Sequence, residues 1–340
     1  MHLQIQKIAQ SAKRVLIAPL DWGLGHATRC IPIIQKLLSY NIEIFIAASG
    51  KIEDLLKMEF PQARFLSLQE YNVRYSKKGL HFTWAILKQV PHILKTIRHE
   101  HKWLQKTIDE YQIDWVISDN RFGLHSHKVP CIFITHQLYV KTSVGKIAEK
   151  ILQRFNYKHI NQFTECWVPD TADFPGLSGV LGHPKRMPNI PTYYIGPLSR
   201  FHIINPPPPI IYKALILLSG PEPHRTIFET LIQQQAHTIE GQFILVRALP
   251  GETTLLNMPS NWTVFNHLPG KELNILIQQA EYVISRTGYT TIMDITVLKK
   301  KSILIPTPGQ SEQLYLGKSS FLGKNTIIVD QNHFIFNKYF

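Results

Sequence analysis

At 340 residues, 44% hydrophobic and 18% charged, the chain exceeds the usual size of one compact core, which predicts two globular domains. No apolar run is long enough to span a bilayer, and the opening MHLQIQKIAQSAKR lacks the apolar stretch and cleavage site of a secretory signal, so a cytoplasmic location is expected. The net charge of +13 is uneven: residues 1–205 hold 26 Lys and Arg against 15 Asp and Glu, residues 206–340 only 11 against 9. A basic first half suits an anionic partner such as a membrane surface, a phosphorylated lipid or an acidic glycan, or is simply a solvated basic surface. Nucleic acid is not expected, because no helix-turn-helix, zinc-finger or aromatic RNA-binding signature is present. Cys30, Cys131 and Cys166 are odd in number and widely spaced, which argues against a disulfide framework or a CxxC site and fits buried small hydrophobes.

In chain order, Arg14-Val15-Leu16-Ile17-Ala18-Pro19 reads as a buried strand, a glycine turn follows, and residues 31–38 have helical spacing. Residues 41–48 supply the next strand, and residues 115–118 and 131–134 two more, so strands alternate with helices as in a doubly wound parallel sheet. After Tyr194-Ile195-Gly196-Pro197 the first domain ends, and Pro206 to Pro209 form a stiff spacer. Beyond it, residues 214–218, 243–246, 263–265, 282–285 and 302–305 read as the strands of a second sheet. The expected division is 1–204, a linker at 205–213, and 214–340: two Rossmann-like α/β domains facing a central cleft.

The turn Asp21-Trp22-Gly23-Leu24-Gly25-His26 links a strand to a helix start. Gly23 and Gly25 allow close backbone approach, and a helix amino end attracts negative charge. His26 stands at the strand's carboxyl end, where it acts as a general base or caps the helix start. In the second half, Leu218-Ser219-Gly220-Pro221-Glu222 closes a strand in a small-residue loop. The run Ser285-Arg286-Thr287-Gly288-Tyr289-Thr290-Thr291 goes from strand to helix, a nest of amides and hydroxyls suited to a diphosphate. Asp294, one turn further on, suits a ribose diol. Gln310-Ser311-Glu312-Gln313, after the next strand, carries the amide and carboxylate groups that pair with sugar hydroxyls.

These segments resemble the GT-B glycosyltransferases, specifically the family of the lipid-linked peptidoglycan N-acetylglucosaminyltransferase with its family-28 carboxyl-terminal domain. The resemblance spans Gly23 to His26, Gly196 to Arg200, and residues 285–313. It implies a UDP-sugar donor held without a metal or other cofactor, and a lipid-linked or glycan acceptor. By position, Gly288, Tyr289 and Thr290 correspond to residues whose backbone binds the diphosphate, and Asp294 stands where the family has a ribose-binding glutamate. Gln313 with Glu312 and Gln310 matches the sugar-recognising group, the backbone of Leu268 the reader of the uracil edge, and Arg200 a nucleotide contact. Ser219-Gly220 falls where the family has a longer glycine loop, and Pro221-Glu222 departs from it. The carboxyl end, at Phe340, leaves little room for the terminal helices that commonly return to the first domain.

Plainer roles stay open for several residues. Arg286 contacts the donor or pairs with a neighbouring carboxylate, and Asp119 and His136 line an acceptor site or merely end strands. Lys299-Lys300-Lys301 fits the carboxyl end of a helix. Residues 80–106 set Trp84, Leu87, Val90, Leu94, Ile97 and Leu104 among Lys88, Lys95, Arg98, Lys102 and Lys106, with Glu100 the single acid. This is either an anionic membrane-surface helix, giving peripheral residence on the inner face of the membrane, or a helix packed on its own sheet. Two rival functions share the architecture: a UDP-N-acetylglucosamine 2-epimerase, with Asp119 and Glu222 as candidate carboxylates, and a non-catalytic UDP-sugar-binding subunit.

Overall fold

The short apolar runs of the sequence become strands whose residues are buried on both faces, the signature of parallel strands covered by helices. The computed structural model describes residues 1–71, 82–142, 145–220, 222–318 and 322–340, and of 82–89 the backbone alone. The chain divides into two compact units, Met1–Leu198 and Ser199–Phe340.

In the first unit, helix α1 (His2–Ala9) precedes β1 (Arg14–Pro19), α2 (Leu24–Leu38), β2 (Glu43–Ala48), α3 (Gly50–Glu59) and β3 (Arg64–Ser67). Then come α4 (Phe82–Tyr111), β4 (Trp115–Asp119), β5 (Cys131–Ile134), α5 (Lys146–Ile160), β6 (Glu165–Val168) and β7 (Thr192–Tyr194). The strands form one seven-stranded sheet in the order β3-β2-β1-β4-β5-β6-β7, each pair parallel. From β1 the chain winds outward through β2 and β3, then returns to β4 on the other side of β1. The loops after β1 and β4 therefore diverge and leave a crevice at the carboxyl ends of these two strands. Pairing of Pro19 with Asp119 places the end of β4 directly beside the turn that precedes His26.

Helix α4 packs one face against its own sheet. Ile97, Leu104 and Ile108 are buried, and Glu100, fully buried, accepts from Arg121 Nη1 at 2.8 Å, Tyr71 Oη at 2.7 Å and the Gly123 amide at 3.0 Å. The single acid of this stretch thus anchors the helix inward. Trp84, Leu87 and Lys88 lie outside the described side chains. No helix among the described residues is long and apolar enough to cross a membrane.

The second unit runs β8 (Tyr212–Leu217), α6 (His224–Gln235), β9 (Phe243–Val246), β10 (Trp262–Phe265), α7 (Gly270–Gln279), β11 (Ala280–Arg286), α8 (Tyr289–Val297), β12 (Lys301–Ile305), α9 (Ser311–Gly317) and β13 (Thr326–Ile328). Its parallel sheet has the order β10-β9-β8-β11-β12-β13, so the crevice opens between β8 and β11. Residues 199–204 bond into this unit: Gln278 Oε1 accepts the Ile204 amide at 2.9 Å, and Asn274 and Gln278 donate to His202 O. The tail folds back on the same unit, with Phe334 and Phe336 buried among Phe228, Phe243 and Trp262, and Gln235 bonding both Phe334 O and the Phe336 amide. Lys300 donates to Gln278 O and Ala280 O at the carboxyl end of α7, which is where a cation offsets the helix dipole. All three cysteines are buried and free.

Candidate functional site: one cluster in each unit

In the first unit, Gly23 has φ +144°, a conformation L side chains rarely adopt, and is the N-cap of α2. Gly25 and His26 fall in the first turn of that helix. His26 Nδ1 lies 3.0 Å from Asp119 Oδ2, at the end of the neighbouring β4. Arg29, one turn beyond His26, grips both Asp119 oxygens, through Nε at 2.7 Å and through Nη2. It also reaches His26 Nδ1 at 2.9 Å and His136 Nδ1 at 3.1 Å. A guanidinium can only donate, so His136 Nδ1 is the acceptor there.

Asp119 is 0% exposed, Arg29 2% and His136 6%, whereas the His26 side chain keeps 19% of its surface. Of the three side chains expected at this site, only that of His26 is open to solvent, while Asp119 and His136 are buried; Gly23 is exposed and Gly25 half-buried beside it. Burial alone would raise the Asp119 carboxyl, yet the charges and bonds of Arg29 and His26 outweigh it and hold it at about 2. Burial lowers His26; Asp119 opposes that shift and Arg29 reinforces it, so the imidazole is neutral near pH 7 and free to take a proton. Arg29 escaped the sequence analysis, although its spacing of three from His26 on a helix puts the two on one face.

In the second unit, β11 ends at Arg286 and α8 starts at Tyr289 with Gly288 as its N-cap, at the crevice between β8 and β11. Gly288 has φ −79°, and a Cβ added there would meet only Thr291 Oγ1 at 3.8 Å. The fold does not itself demand glycine here; what glycine provides is open space above the helix start. Ser285, Thr287 and Tyr289 are buried, with Ser285 Oγ donating to Leu217 O at 2.6 Å across the two strands. Gly288, Thr290, Thr291 and Asp294 are the partly buried members of the segment, each keeping a minority of its surface in solvent. Burial pushes the Asp294 carboxyl up to about 7, against the 2.5 Å bond from Ser199 Oγ and the charge of Arg200. Ser199 was not singled out in the sequence, although its neighbour Arg200 was.

Three further expectations are sharpened. Arg286 pairs with no carboxylate among the described residues: it is 0% exposed, lies over the Phe228 ring at 4.4 Å, and donates through Nη2 to His224 O at 2.9 Å and Gln331 Oε1 at 2.8 Å. A ligand cannot touch its guanidinium in this conformation. Gln313 is 6% exposed and spends its carbonyl on the Thr307 amide at 2.9 Å, which shapes the loop after β12, while Gln310 and Glu312 are half-exposed. Leu268, 5% exposed, sits in the loop after β10, and Ser219-Gly220 in the loop after β8, where Pro221 lies outside the described residues. The carboxylates offered for an epimerase are both engaged, Asp119 by Arg29 and Glu222 by Arg225 Nε at 2.6 Å. Among the described residues no three or more His, Cys, Asp or Glu converge as metal ligands.

Comparison with known proteins gives a consistent picture. Residues 230–325 match the model of the glycosyltransferase family 28 C-terminal domain. The UDP-N-acetylglucosamine–N-acetylmuramyl-(pentapeptide) pyrophosphoryl-undecaprenol N-acetylglucosamine transferase of Gloeothece citriformis is 22% identical over 325 residues, spanning 92% of this chain and 81% of its own length. Among solved structures, the glycosyltransferase SnogD from Streptomyces nogalater superposes with a TM-score of 0.58 at 14% identity, covering 94% of this chain and 87% of that one. MurG of Acinetobacter baumannii superposes with 0.50 at 11% identity, covering 96% and 88%. Two doubly wound parallel sheets, a family 28 domain and a relative matched along most of its length make this chain a GT-B glycosyltransferase that resembles the lipid-linked peptidoglycan N-acetylglucosaminyltransferase family.

Proposed function

We propose that the protein moves a hexose or N-acetylhexosamine from a UDP-sugar to a lipid-linked or glycan acceptor, with inversion and without a metal. The observation that carries the reading is the start of α8: a family 28 domain whose half-buried Gly288 opens the helix amino end at the sheet's switch point, six residues before Asp294. Amides of Gly288, Tyr289 and Thr290 take the diphosphate, and Asp294 accepts from the ribose hydroxyls. The backbone of Leu268 reads the base, Gln310 and Glu312 contact the sugar, and Arg200 contacts the nucleotide. No Asp-x-Asp motif occurs in the sequence, so charge on the departing UDP is met by helix-start amides and arginines.

On the acceptor side, two groups meet His26 Nδ1: Asp119 Oδ2 at 3.0 Å, which only accepts, and Arg29 Nη2 at 2.9 Å, which only donates; the general-base reading takes the tautomer bonded to Asp119, with the proton on Nδ1 and the lone pair on Nε2. Nε2 then removes the proton from the acceptor hydroxyl while its oxygen bonds the anomeric carbon and the bond to UDP breaks, the electron pair leaving with UDP. Arg29 neutralises Asp119 and fixes its position between β4 and α2. A lipid-linked acceptor would place the protein peripherally at the inner face of the membrane, a location tested by salt-sensitive binding to anionic vesicles.

A thermal-shift screen over UDP-, dTDP- and GDP-sugars tests the donor half. UDP-sugars are expected to stabilise the protein most, and a flat response to every nucleotide sugar would remove the reading. Incubation with UDP-N-acetylglucosamine alone separates the epimerase: fast epimerisation without an acceptor would replace a transferase by that enzyme.

A further inference from the structure

We propose that a cavity on the first unit, between the middle of α4, the loop after β4 and the end of α5, binds a small phosphate monoester carried on an apolar body. The cavity measures about 390 Å³, within the range of small-molecule sites, and shares no lining residue with the His26–Asp119 cluster. Ile97 and His101 come from α4, His125 from the loop, and His159 from the last turn of α5.

The walls are rings and aliphatic groups held in place by packing. The His101 and His125 rings lie 4.4 Å apart, His125 meets Phe163 at 5.8 Å, and His159 meets Phe155 at 4.6 Å. Gln105 ties the loop to α4, donating to His125 O at 3.4 Å and accepting from Ser126 Oγ at 3.1 Å. The Nδ1 atoms of His101 and His125 are buried without a hydrogen-bond partner, an arrangement that a native interior rarely keeps unless a ligand or water satisfies it. Burial, reinforced by the charges of His101, His127 and His159, lowers His125 to about 4, so its imidazole is uncharged at neutral pH.

Positive charge is confined to the rim. Arg98, Lys102 and Lys158 line the cavity with exposed side chains, and none of them is in an ion pair among the described residues. No described carboxylate lines it; Glu100, beside His101 in the chain, is turned inward to Arg121, Tyr71 and the Gly123 amide. A concave site edged by one sign of charge gathers counter-ions, and three cations suit a dianion better than a carboxylate. An apolar body therefore enters between the rings while its phosphate stays at the mouth. A bilayer fits less well, because no exposed large apolar side chain lines the cavity to anchor it.

Isothermal titration of the full chain in excess UDP, which occupies any nucleotide phosphate site, decides the matter with 1-naphthyl phosphate, 1-naphthol, 1-naphthoate and inorganic phosphate. One 1-naphthyl phosphate per chain is expected, about tenfold tighter than each of the other three, with shifts in the imidazole NMR signals of His101 and His125. The double variant Arg98→Gln/Lys158→Gln, changed only at exposed side chains, should melt like the wild type and bind about fivefold to tenfold more weakly. Inorganic phosphate binding as tightly would mean an adventitious ion only, and naphthol or naphthoate binding as tightly would remove the phosphate; each result overturns the site. Unchanged affinity in the double variant, or imidazole signals that do not move, overturns it as well. So does failure of 1-naphthyl phosphate to bind; retention of phosphatidic acid vesicles by the wild type alone would then assign the three cations to a lipid surface.

Discussion

Replacing Asp119 by Asn tests the buried cluster of the first unit most sharply, because the exchange keeps the shape and removes only the charge. In the folded protein the carboxyl sits at about 2 instead of 3.8, and at about 1.36 kcal/mol per unit this is worth roughly 2 kcal/mol of stability near neutral pH. The variant loses more than that, since Arg29, 2% exposed, is left as a buried cation without its anion, and breaking such a pair costs about 3–5 kcal/mol. With a urea dependence of about 2 kcal/mol per molar, the midpoint for the first unit should fall by about 1.5–2.5 M. Tryptophan fluorescence is the assay. Trp22, Trp84, Trp103, Trp115 and Trp167 lie in the first unit and Trp262 alone in the second, so the signal reports chiefly the unit that changes. The sign of the pH dependence follows from a depressed folded value: the contribution is complete above the ordinary 3.8 and is lost as pH falls through about 2. Wild type and variant should differ by a constant amount between pH 5 and 8 and converge toward pH 2. A variant as stable as the wild type at pH 7, or a gap that closes already at pH 5, would refute the account of a buried, Arg29-paired carboxylate.

Other outcomes follow from the same geometry. His26→Ala should lower kcat by about 10²–10⁴ while the UDP-sugar KM moves less than twofold, as expected for a general base; steady-state kinetics showing equal losses in both would remove His26 from that role. Gly288→Ala should leave the melting temperature within a degree or two, since the added methyl meets only ordinary contact, yet weaken UDP binding by about tenfold or more where the backbone must approach the diphosphate; calorimetry and titration on the same sample check both. With Asp294 raised to about 7, the fold disfavours its ionised form, so stability associated with it is full below its ordinary 3.8 and declines as pH rises through about 7. On the proposed role of Asp294 at the ribose, UDP binding should tighten from pH 6 to 8 in the wild type and stay flat in Asp294→Asn, while that variant melts higher than the wild type at pH 8.

The strand–turn–helix at Gly288 was legible because its signals are local. A strand, a Gly288 turn and a helix start are neighbours in the chain, and every backbone amide that such a turn offers is fixed by the conformation of a few residues. The same locality made the apolar runs at 14–19, 115–118 and 214–218 readable as strands, and they emerge as β1, β4 and β8. Four short strands went unread: β3, β7 and β13, of three or four residues with none buried, and β6, which is buried but has only the three apolar residues Cys166, Trp167 and Val168 after Glu165.

What was not legible depends on pairs that are distant in sequence. His26 and Asp119 are brought together only because β4 returns beside β1, and nothing in either local segment records that neighbour. Arg29 was printed in the same turn as His26, but its task is defined by Asp119, ninety residues on. Arg286 looked like a ligand contact or half of an ion pair; burial over Phe228 and the return of the tail, which sets Gln331 on its guanidinium, gave it a third role. The sequence by itself determined most of the element types, the two parallel sheets and the turn that starts α8 at Gly288, since periodicity and turn residues act over a few positions. Only the tertiary structure decided which charges are buried, which are paired and which remain for a substrate, because those depend on strand order and on the desolvation that packing imposes.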